Sequence, residues 1–162
     1  MNAKVLENKK QIVENITSSF KDNSSLVIVE YRGLTVADLS ELRKSLKAVN
    51  ASFNVYKNTL VSKASSSLGH DELEQYLSGS NAYVFSKEVV DGPKVLAKFA
   101  KKNEHLVIKA GLVEGKVMDA AGIKTVASLP NREGLISMFL SCLQAPIRSF
   151  ACTVKAVADS KN

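Results

Sequence analysis

The segment LVIVEYRGLTVADLSELRKSLKAV, residues 26–49, decides how this chain folds. Its first four residues are an apolar run rich in branched side chains, which predicts a buried strand. Gly33 interrupts that pattern, and Thr35 followed three residues later by Asp38 predicts a capped helix start with the shorter acid. Apolar residues then recur at every third or fourth position as far as Val49. The segment therefore predicts a strand, a tight connection and an amphipathic helix.

The same alternation of strands and helices continues on both sides of this segment. A helical pattern occupies residues 4–20, and short strand patterns lie at residues 53–55, 82–85 and 106–108. Further helical patterns begin at Asn58 or Thr59, at Asp91 and near residue 119, and we expect loops at residues 65–70 and 111–115. Such alternation predicts an α/β fold of α+β-like character, with a small sheet flanked by helices, and leaves the strand order open.

The break Leu129-Pro130-Asn131 marks a change in the chain. We predict an α/β body at residues 1–129 and a C-terminal helical segment at residues 130–162. Apolar residues recur at helical spacing on both sides of Pro146, and proline removes a backbone hydrogen bond inside a helix. We therefore expect a projecting helix kinked at Pro146. The alternative is a helix whose apolar face folds back onto the body, because such a face must be buried on something.

Charge is distributed unevenly along the chain. The 22 Lys and Arg outnumber the 16 Asp and Glu, which gives a net charge of +6. The densest basic stretch runs from Arg32 to Lys63, where Asp38 and Glu41 are the only acids. A basic face in the N-terminal half is typical of proteins that bind nucleic acid or an anionic membrane surface.

Cysteine usage and hydropathy indicate a cytoplasmic protein. Cys142 and Cys152 lie ten residues apart in a helical pattern, about 15 Å, which is beyond the reach of a disulfide. The N-terminus has the charges of Lys4, Glu7 and Lys9 in place of the apolar core of a signal peptide. The longest strongly apolar run, residues 135–143, is about half a membrane span. We expect a soluble protein without a membrane partner.

Sequence motifs for catalysis are absent. Neither common phosphate-binding glycine pattern occurs, and His70 and His105 lie far apart. The acids at residues 71–74 are better explained as a solvated helix start than as paired catalytic groups. We predict a protein that is not an enzyme and has no metal, cofactor or small-molecule substrate. The alternatives are an α/β enzyme that dimerises through its terminal helix and a membrane-surface protein.

Three stretches resemble one known family. They are YRGLTV at residues 31–36 with LRK at 42–44, YKNTL at 56–60, and LPNRE at 129–133 with LQAPI at 143–147. In this order and spacing they resemble the stalk-base protein of the bacterial large ribosomal subunit, along nearly the whole chain. The sequence departs from the family at Gly79-Ser80-Asn81, where many members carry proline after the glycine.

The resemblance implies a structural constituent of the large subunit in the cytoplasm. Members bind a segment of large-subunit ribosomal RNA together with a neighbouring stalk-base ribosomal protein. Their C-terminal helix anchors dimers of the acidic stalk protein, and these dimers recruit translational GTPases. The short segment after Pro146 favours two dimers over three. Autogenous repression of translation, which some members perform, is a further expectation at the level of the family.

Residue by residue, the resemblance implies two binding surfaces. The expected RNA-binding residues are Arg32, Gly33, Arg43, Lys44, Lys47, Lys57, Asn58 and Lys63. Lys and Arg release counterions from phosphates, glycine allows close backbone approach, and asparagine can bond a base edge or a 2′-hydroxyl. For Lys47 and Lys63 a solvated helix face is an equal alternative. The expected stalk-protein-binding residues are Leu135, Met138, Phe139, Leu143, Ile147, Phe150, Val154 and Val157.

Two tyrosines flank the first two motif stretches. Tyr31 and Tyr56 each end a predicted strand, and aromatic rings are common stacking partners of unpaired bases. Packing beside the strands is the favoured interpretation of both rings, so neither tyrosine belongs to the expected RNA-binding set.

Overall fold

A computed structural model describes residues 3–103 and 105–159 of the chain. The chain divides into two compact units, Met1–Ser128 and Leu129–Asn162. The elements of the first unit are α1 (Ala3–Asp22), β1 (Ser25–Glu30), α2 (Val36–Ala48), β2 (Ala51–Asn54), α3 (Asn58–Ser67), a 3-10 helix (Asp71–Tyr76), β3 (Asn81–Ser86), α4 (Asp91–Lys102), β4 (Val107–Val113), β5 (Lys116–Asp119) and α5 (Ala120–Ser128). The second unit contains α6 (Arg132–Asp159).

Within the described residues the body is built on a five-stranded sheet in the order β2-β3-β1-β4-β5. All four neighbouring pairs are antiparallel, and the central strand β1 places Leu26 opposite both Phe85 of β3 and Leu112 of β4. Helices flank this sheet, so the predicted α/β fold with α+β character is confirmed. The order could not be deduced from the sequence, because both neighbours of β1 are distant from it along the chain.

The apolar run of β1 is buried on both faces of the sheet. Successive strand side chains point to opposite faces, and Leu26 and Ile28 pack in one core with residues of α1 and α3. Val27 and Val29 pack in the other core with residues of α2, α4 and α5. This three-layer arrangement explains why β1 is continuously apolar rather than alternating.

The predicted helix start after β1 is confirmed. Thr35 lies in extended backbone before α2, and its hydroxyl accepts a hydrogen bond from the Asp38 backbone N–H at 3.2 Å. The Asp38 carboxylate in turn accepts from the Thr35 backbone N–H at 3.3 Å. The pair therefore forms a capping box in which aspartate takes the place of the usual glutamate.

Three local predictions were wrong. Residues 65–67 belong to α3 rather than to a loop, and the buried Ser65 hydroxyl donates to the Ser62 carbonyl inside that helix at 2.9 Å. Lys57, not Asn58 or Thr59, occupies the N-cap position of α3 and makes no side-chain cap. β4 continues through Gly111 to Val113, so only Glu114 and Gly115 form the turn.

Gly111 is a glycine for reasons of packing. A Cβ atom there would lie 2.6 Å from the Leu26 carbonyl oxygen and 2.8 Å from Cδ1 of Ile123. Both distances are too short for any side chain, so the strand needs glycine where the helix α5 crosses close to it. A glycine within an apolar stretch suggested a turn, and only the neighbouring strand and helix reveal its actual role.

The helix α6 runs from Arg132 to Asp159 with Pro146 inside it. None of its described residues is buried, and its large apolar side chains range from 36% exposed at Leu135 to 74% at Ile147. By length and composition alone, α6 is long and apolar enough to cross a membrane. The run 135–143 did not indicate this, because Ile147, Phe150 and the alanines beyond Pro146 extend the apolar stretch. The kink at Pro146 stays a prediction.

Candidate nucleic-acid interface

The loops that follow β1 and β2 meet at one end of the sheet. Both strands run antiparallel to β3, so their last residues lie beside its first residues, as in the pairing of Glu30 with Asn81. The Tyr31 backbone N–H donates to the Ser80 carbonyl at 3.4 Å, and the Asn58 side-chain amide donates to the Gly79 carbonyl at 2.9 Å. The turn before β3 therefore joins the two motif segments that are distant in sequence.

A solvent-open cavity of about 380 Å³ lies at this junction, and we call it the sheet-end groove. It is lined by Tyr31, Val55, Tyr56, Lys57, Asn58, Thr59, Gly79, Ser80 and Asn81. None of these nine described residues carries a carboxylate. A groove with aromatic, amide and ammonium groups and without acids is suited to a polyanion that also presents planar apolar groups.

Asn58 is held in one orientation by two hydrogen bonds. Its Oδ1 accepts from the Tyr83 hydroxyl at 2.9 Å, while its Nδ2 donates to Gly79. A tyrosine hydroxyl is a proton donor at neutral pH, and burial raises the pKa of Tyr83 further, to about 12. Asn58 thus has a structural task besides the predicted RNA contact. Since an amide has two N–H groups, one remains for a ligand.

Lys109 neutralises the acid at the end of β1. Its ammonium lies 2.8 Å from the Glu30 carboxylate and also donates to the Ser78 carbonyl at 2.7 Å and to Asn81 Oδ1 at 3.2 Å. The sequence prediction missed Lys109. The only sequence feature that pointed to it was a lysine among the apolar residues of a strand. Its ion-pair and hydrogen-bond partners lie in two segments that are distant along the chain.

Gly33 adopts a backbone conformation that side chains rarely take. Its φ is +97°, and a Cβ atom there would lie 3.1 Å from Nδ1 of His105. The loop 31–35 therefore passes directly over the histidine. Arg32 and Gly33 are exposed in this loop, and His105 beneath it is exposed as well. The sequence alone predicted His105 only as a solvated surface residue.

The structure divides the predicted RNA-binding residues among three places. Arg43, Lys44 and Lys47 are exposed on α2, which packs on one face of the sheet, whereas exposed Lys63 lies on α3 at the opposite face. Lys57 and Asn58 lie in the sheet-end groove, and Arg32 and Gly33 follow directly on its wall residue Tyr31. The sheet thus separates Lys63 from the α2 group.

Arg43 also contributes to the fold. Its guanidinium carbon lies 5.3 Å from the centre of the Phe53 ring on β2, in the geometry of a cation–π contact. The contact holds the guanidinium against the edge strand of the sheet. In the described part of the chain, no three His, Cys, Asp and Glu side chains are grouped so that they could hold a metal ion.

The predicted stalk-protein-binding residues share one helix. All eight lie on α6 and are exposed, and apart from the adjacent Met138 and Phe139 they follow one another at three or four residues, which places them along one broad stripe. Ile136 and Leu140 are also exposed, at 52% each, and widen the stripe before Pro146. The prediction left these two residues out, although their apolar character and their four-residue spacing were visible in the sequence.

Comparisons with known proteins match both units of the chain. The family model described as ribosomal protein L10 matches residues 4–101, and that of the ribosomal protein uL10 C-terminal region matches residues 129–162. A large ribosomal subunit protein uL10 of Macrococcus caseolyticus (strain JCSC5402) is 51% identical over 162 residues, which cover 99% of this chain and 94% of the relative.

Two Bacillus relatives are similar to the same extent. The large ribosomal subunit protein uL10 of Bacillus licheniformis is 52% identical over 157 residues, covering 96% of this chain and 95% of the relative. The large ribosomal subunit protein uL10 of Bacillus cereus (strain B4264) is 49% identical over 160 residues, covering 98% of this chain and 96% of the relative. The similarity therefore extends over nearly the full length of both chains.

The fold, the exposed basic residues and these matches define the class of the chain as a structural component of the ribosome. Within that class, the chain belongs to the ribosomal protein L10 family. It is a protein of the large ribosomal subunit, acts in translation, and is located on the ribosome in the bacterial cytoplasm. The family is one of structural proteins, and the resemblance predicted from the motifs is confirmed.

Proposed function

We propose that the body binds large-subunit ribosomal RNA at the stalk base through the sheet end and the adjoining surface of α2. One observation carries the proposal: the turn at Gly79 and Ser80 joins the two motif segments and forms an acid-free groove between them. Exposed Arg and Lys side chains on both segments neutralise phosphates and release counterions. The neighbouring stalk-base ribosomal protein binds the same RNA segment.

We further propose that α6 anchors dimers of the acidic stalk protein, which recruit translational GTPases. The support is the stripe of large apolar side chains that are exposed along α6. Soluble proteins rarely expose a contiguous apolar surface of this kind unless a partner covers it, and partner helices can cover it by packing into the stripe. Two dimers fit the short segment after Pro146. Autogenous repression would use the RNA-binding surface of the body.

RNA binding is tested with transcripts that tile large-subunit ribosomal RNA, in filter-binding titrations at several salt concentrations. The double variant Arg43→Glu, Lys44→Glu should weaken binding of the retained transcript and reduce the slope of affinity against salt. The matched control is Lys9→Glu, Lys10→Glu, an equal charge change at exposed positions of α1. Equal affinities and slopes for the double variant and the unaltered protein would remove α2 from the proposed surface.

Stalk anchoring is tested by co-sedimentation with large subunits and by native mass spectrometry with the purified acidic stalk protein. The full chain should sediment with the subunit after a high-salt wash and carry two dimers. Deletion of residues 129–162 should abolish dimer binding while RNA binding persists. A complex that contains three dimers would contradict the proposed number, and a deleted chain that still holds dimers would contradict the assignment to α6.

A membrane-bound role is the second candidate, because α6 is long and apolar enough to span a bilayer. Against it, the match of residues 129–162 to the uL10 C-terminal region accounts for the same apolar helix. Flotation with liposomes of mixed neutral and anionic phospholipids separates the two. Protein that remains at the bottom of the gradient supports the ribosomal proposal, whereas protein that floats through residues 129–162 favours the membrane.

A further inference from the structure

The lining of the sheet-end groove suits one planar ligand more closely than a continuous phosphate backbone. We propose that the groove binds a single unstacked nucleobase, extruded from the ribosomal RNA, and reads its edge through Asn58. The inference rests on the proposed RNA binding and names the part of the RNA that the groove accepts. It assigns Tyr31 and Tyr56, which the sequence favoured as packing residues, to the binding of that base.

The two tyrosines form apolar walls on separate supports. Tyr31 is half-buried against the core on the α2 side of the sheet, and Tyr56 is half-buried against the core on the α3 side. The Tyr56 ring lies 6.2 Å from the Tyr83 ring, tilted by 35°, which limits its movement. Rings that are fixed in this way lose little freedom when a base stacks on them, and stacking accepts the π face of any base.

Asn58 supplies a fixed hydrogen-bonding edge between these walls. The bonds to Tyr83 and Gly79 determine which amide atom is oxygen and which is nitrogen, and they hold the plane of the amide. Among the described residues, they leave one N–H and one oxygen lone pair unused. An amide that still offers one donor and one acceptor can pair with the edge of a base, whereas a phosphate would use only the donor.

The charges around the groove favour a nucleotide over an uncharged planar molecule. Lys57 is exposed at the groove, and exposed Arg32 directly follows Tyr31. Glu30, the acid nearest to the turn at Gly79, is paired with Lys109 at 2.8 Å and so repels RNA little. An extruded base has a phosphate on each side, and the two cations can bind these phosphates while the base enters the groove.

The test combines changes in the RNA with changes in the groove. The probe is the shortest ribosomal RNA transcript that the full-length protein retains, synthesised with an abasic residue at each unpaired position in turn. One abasic position should weaken binding by about tenfold, the effect expected from losing one stacked base. Tyr56→Leu should weaken binding of the intact RNA similarly and show no further loss with that abasic RNA.

The base-binding inference would be overturned if Tyr56→Leu and the abasic residue weakened RNA binding additively. It would also be overturned if no abasic position weakened binding, although RNA binding itself would stand in both cases. A protein that retains no transcript would overturn the proposed function as well.

Thermal melting shows whether Tyr56→Leu is folded. A second variant does not depend on that result: the unaltered chain lacks tryptophan, so Tyr31→Trp adds a single reporter and keeps an aromatic wall. Its affinity should be retained and its fluorescence quenched by intact RNA but not by the sensitive abasic RNA; equal quenching by both overturns the inference.

Discussion

Lys109 connects three segments at the sheet end through a single ammonium group. It pairs with Glu30 of β1, donates to the Ser78 carbonyl before β3 and donates to the buried Asn81. Both members of the ion pair are largely shielded from water, with 19% of the Lys109 side chain and 28% of the Glu30 side chain exposed. Removing the lysine would therefore leave an uncompensated acid and two acceptors without their donor.

We expect Lys109→Met to lower the free energy of unfolding by about 1–3 kcal/mol, because the largely shielded Glu30 carboxylate and the buried Asn81 side chain lose their partner. Urea denaturation measures the change. Lys116→Met, at an exposed site on β5, is the matched control and should stay within about 0.5 kcal/mol of the unaltered protein. Adding Glu30→Gln to Lys109→Met should recover part of the loss. Equal denaturation midpoints for Lys109→Met and Lys116→Met would contradict the structural role of Lys109.

Tyr83 makes stability depend on pH in the alkaline range. Burial raises its pKa from 10.0 to about 12, so the folded chain keeps the proton that the unfolded chain releases first. The stabilising contribution is complete below about pH 10 and is lost as the pH rises toward 12. Tyr83→Phe removes this titration, so its unfolding free energy should decline less steeply over that interval. Parallel profiles from urea denaturation at each pH would refute the assignment.

At the scale of elements, β4 depends on the absence of a side chain at Gly111. A methyl group there meets the Leu26 carbonyl oxygen of the adjacent strand and Ile123 of α5. We expect Gly111→Ala to destabilise the body by about 1–3 kcal/mol, the usual cost of overpacking. In Gly122→Ala the new methyl group would lie 3.2 Å from Cβ of Met118, and helical propensity favours alanine there by about 1 kcal/mol. Urea denaturation should therefore show a large loss for Gly111→Ala alone.

The elements also show why cationic residues close in sequence serve different surfaces. Lys47 and Lys63 are sixteen residues apart, yet α2 and α3 cover opposite faces of the sheet. Lys57 lies between them, where β2 ends and α3 begins. If the RNA covers the sheet end and α2, a change of Lys63 should affect binding less than a change of Lys57.

At the scale of the whole molecule, the chain combines a body with two buried cores and a helix without buried residues among those described. Phe150 is 72% exposed on α6, so Phe150→Asp should leave the melting temperature of the body unchanged. The same variant should lose one stalk dimer in native mass spectrometry, because a charge in an apolar interface has no partner. Ser149→Asp, the adjacent exposed position off the stripe, should keep both dimers. A lower melting temperature for Phe150→Asp alone would show that Phe150 supports the body instead.

The amino-acid sequence by itself determined the alternation of strands and helices apart from β5, the capped start of α2 and the family. Apolar periodicity and capping depend on residues within one or two turns, so they are readable locally. The exposed cations of the motif segments were also readable, because they are close together in the chain, and their contact with RNA stays a prediction. The eight apolar residues of α6 were readable for the same reason, since a helical stripe has a fixed spacing.

Only the tertiary structure decided the sheet order, the role of Gly111, the network of Lys109 and the sheet-end groove. Each of these depends on pairing between residues far apart in sequence, such as Glu30 with Lys109 and Asn58 with Gly79. Such pairs form where strands and helices pack, and their partners cannot be chosen from local patterns, because many arrangements satisfy the same periodicity. The sequence thus specifies which segments fold, while packing determines which of their side chains meet.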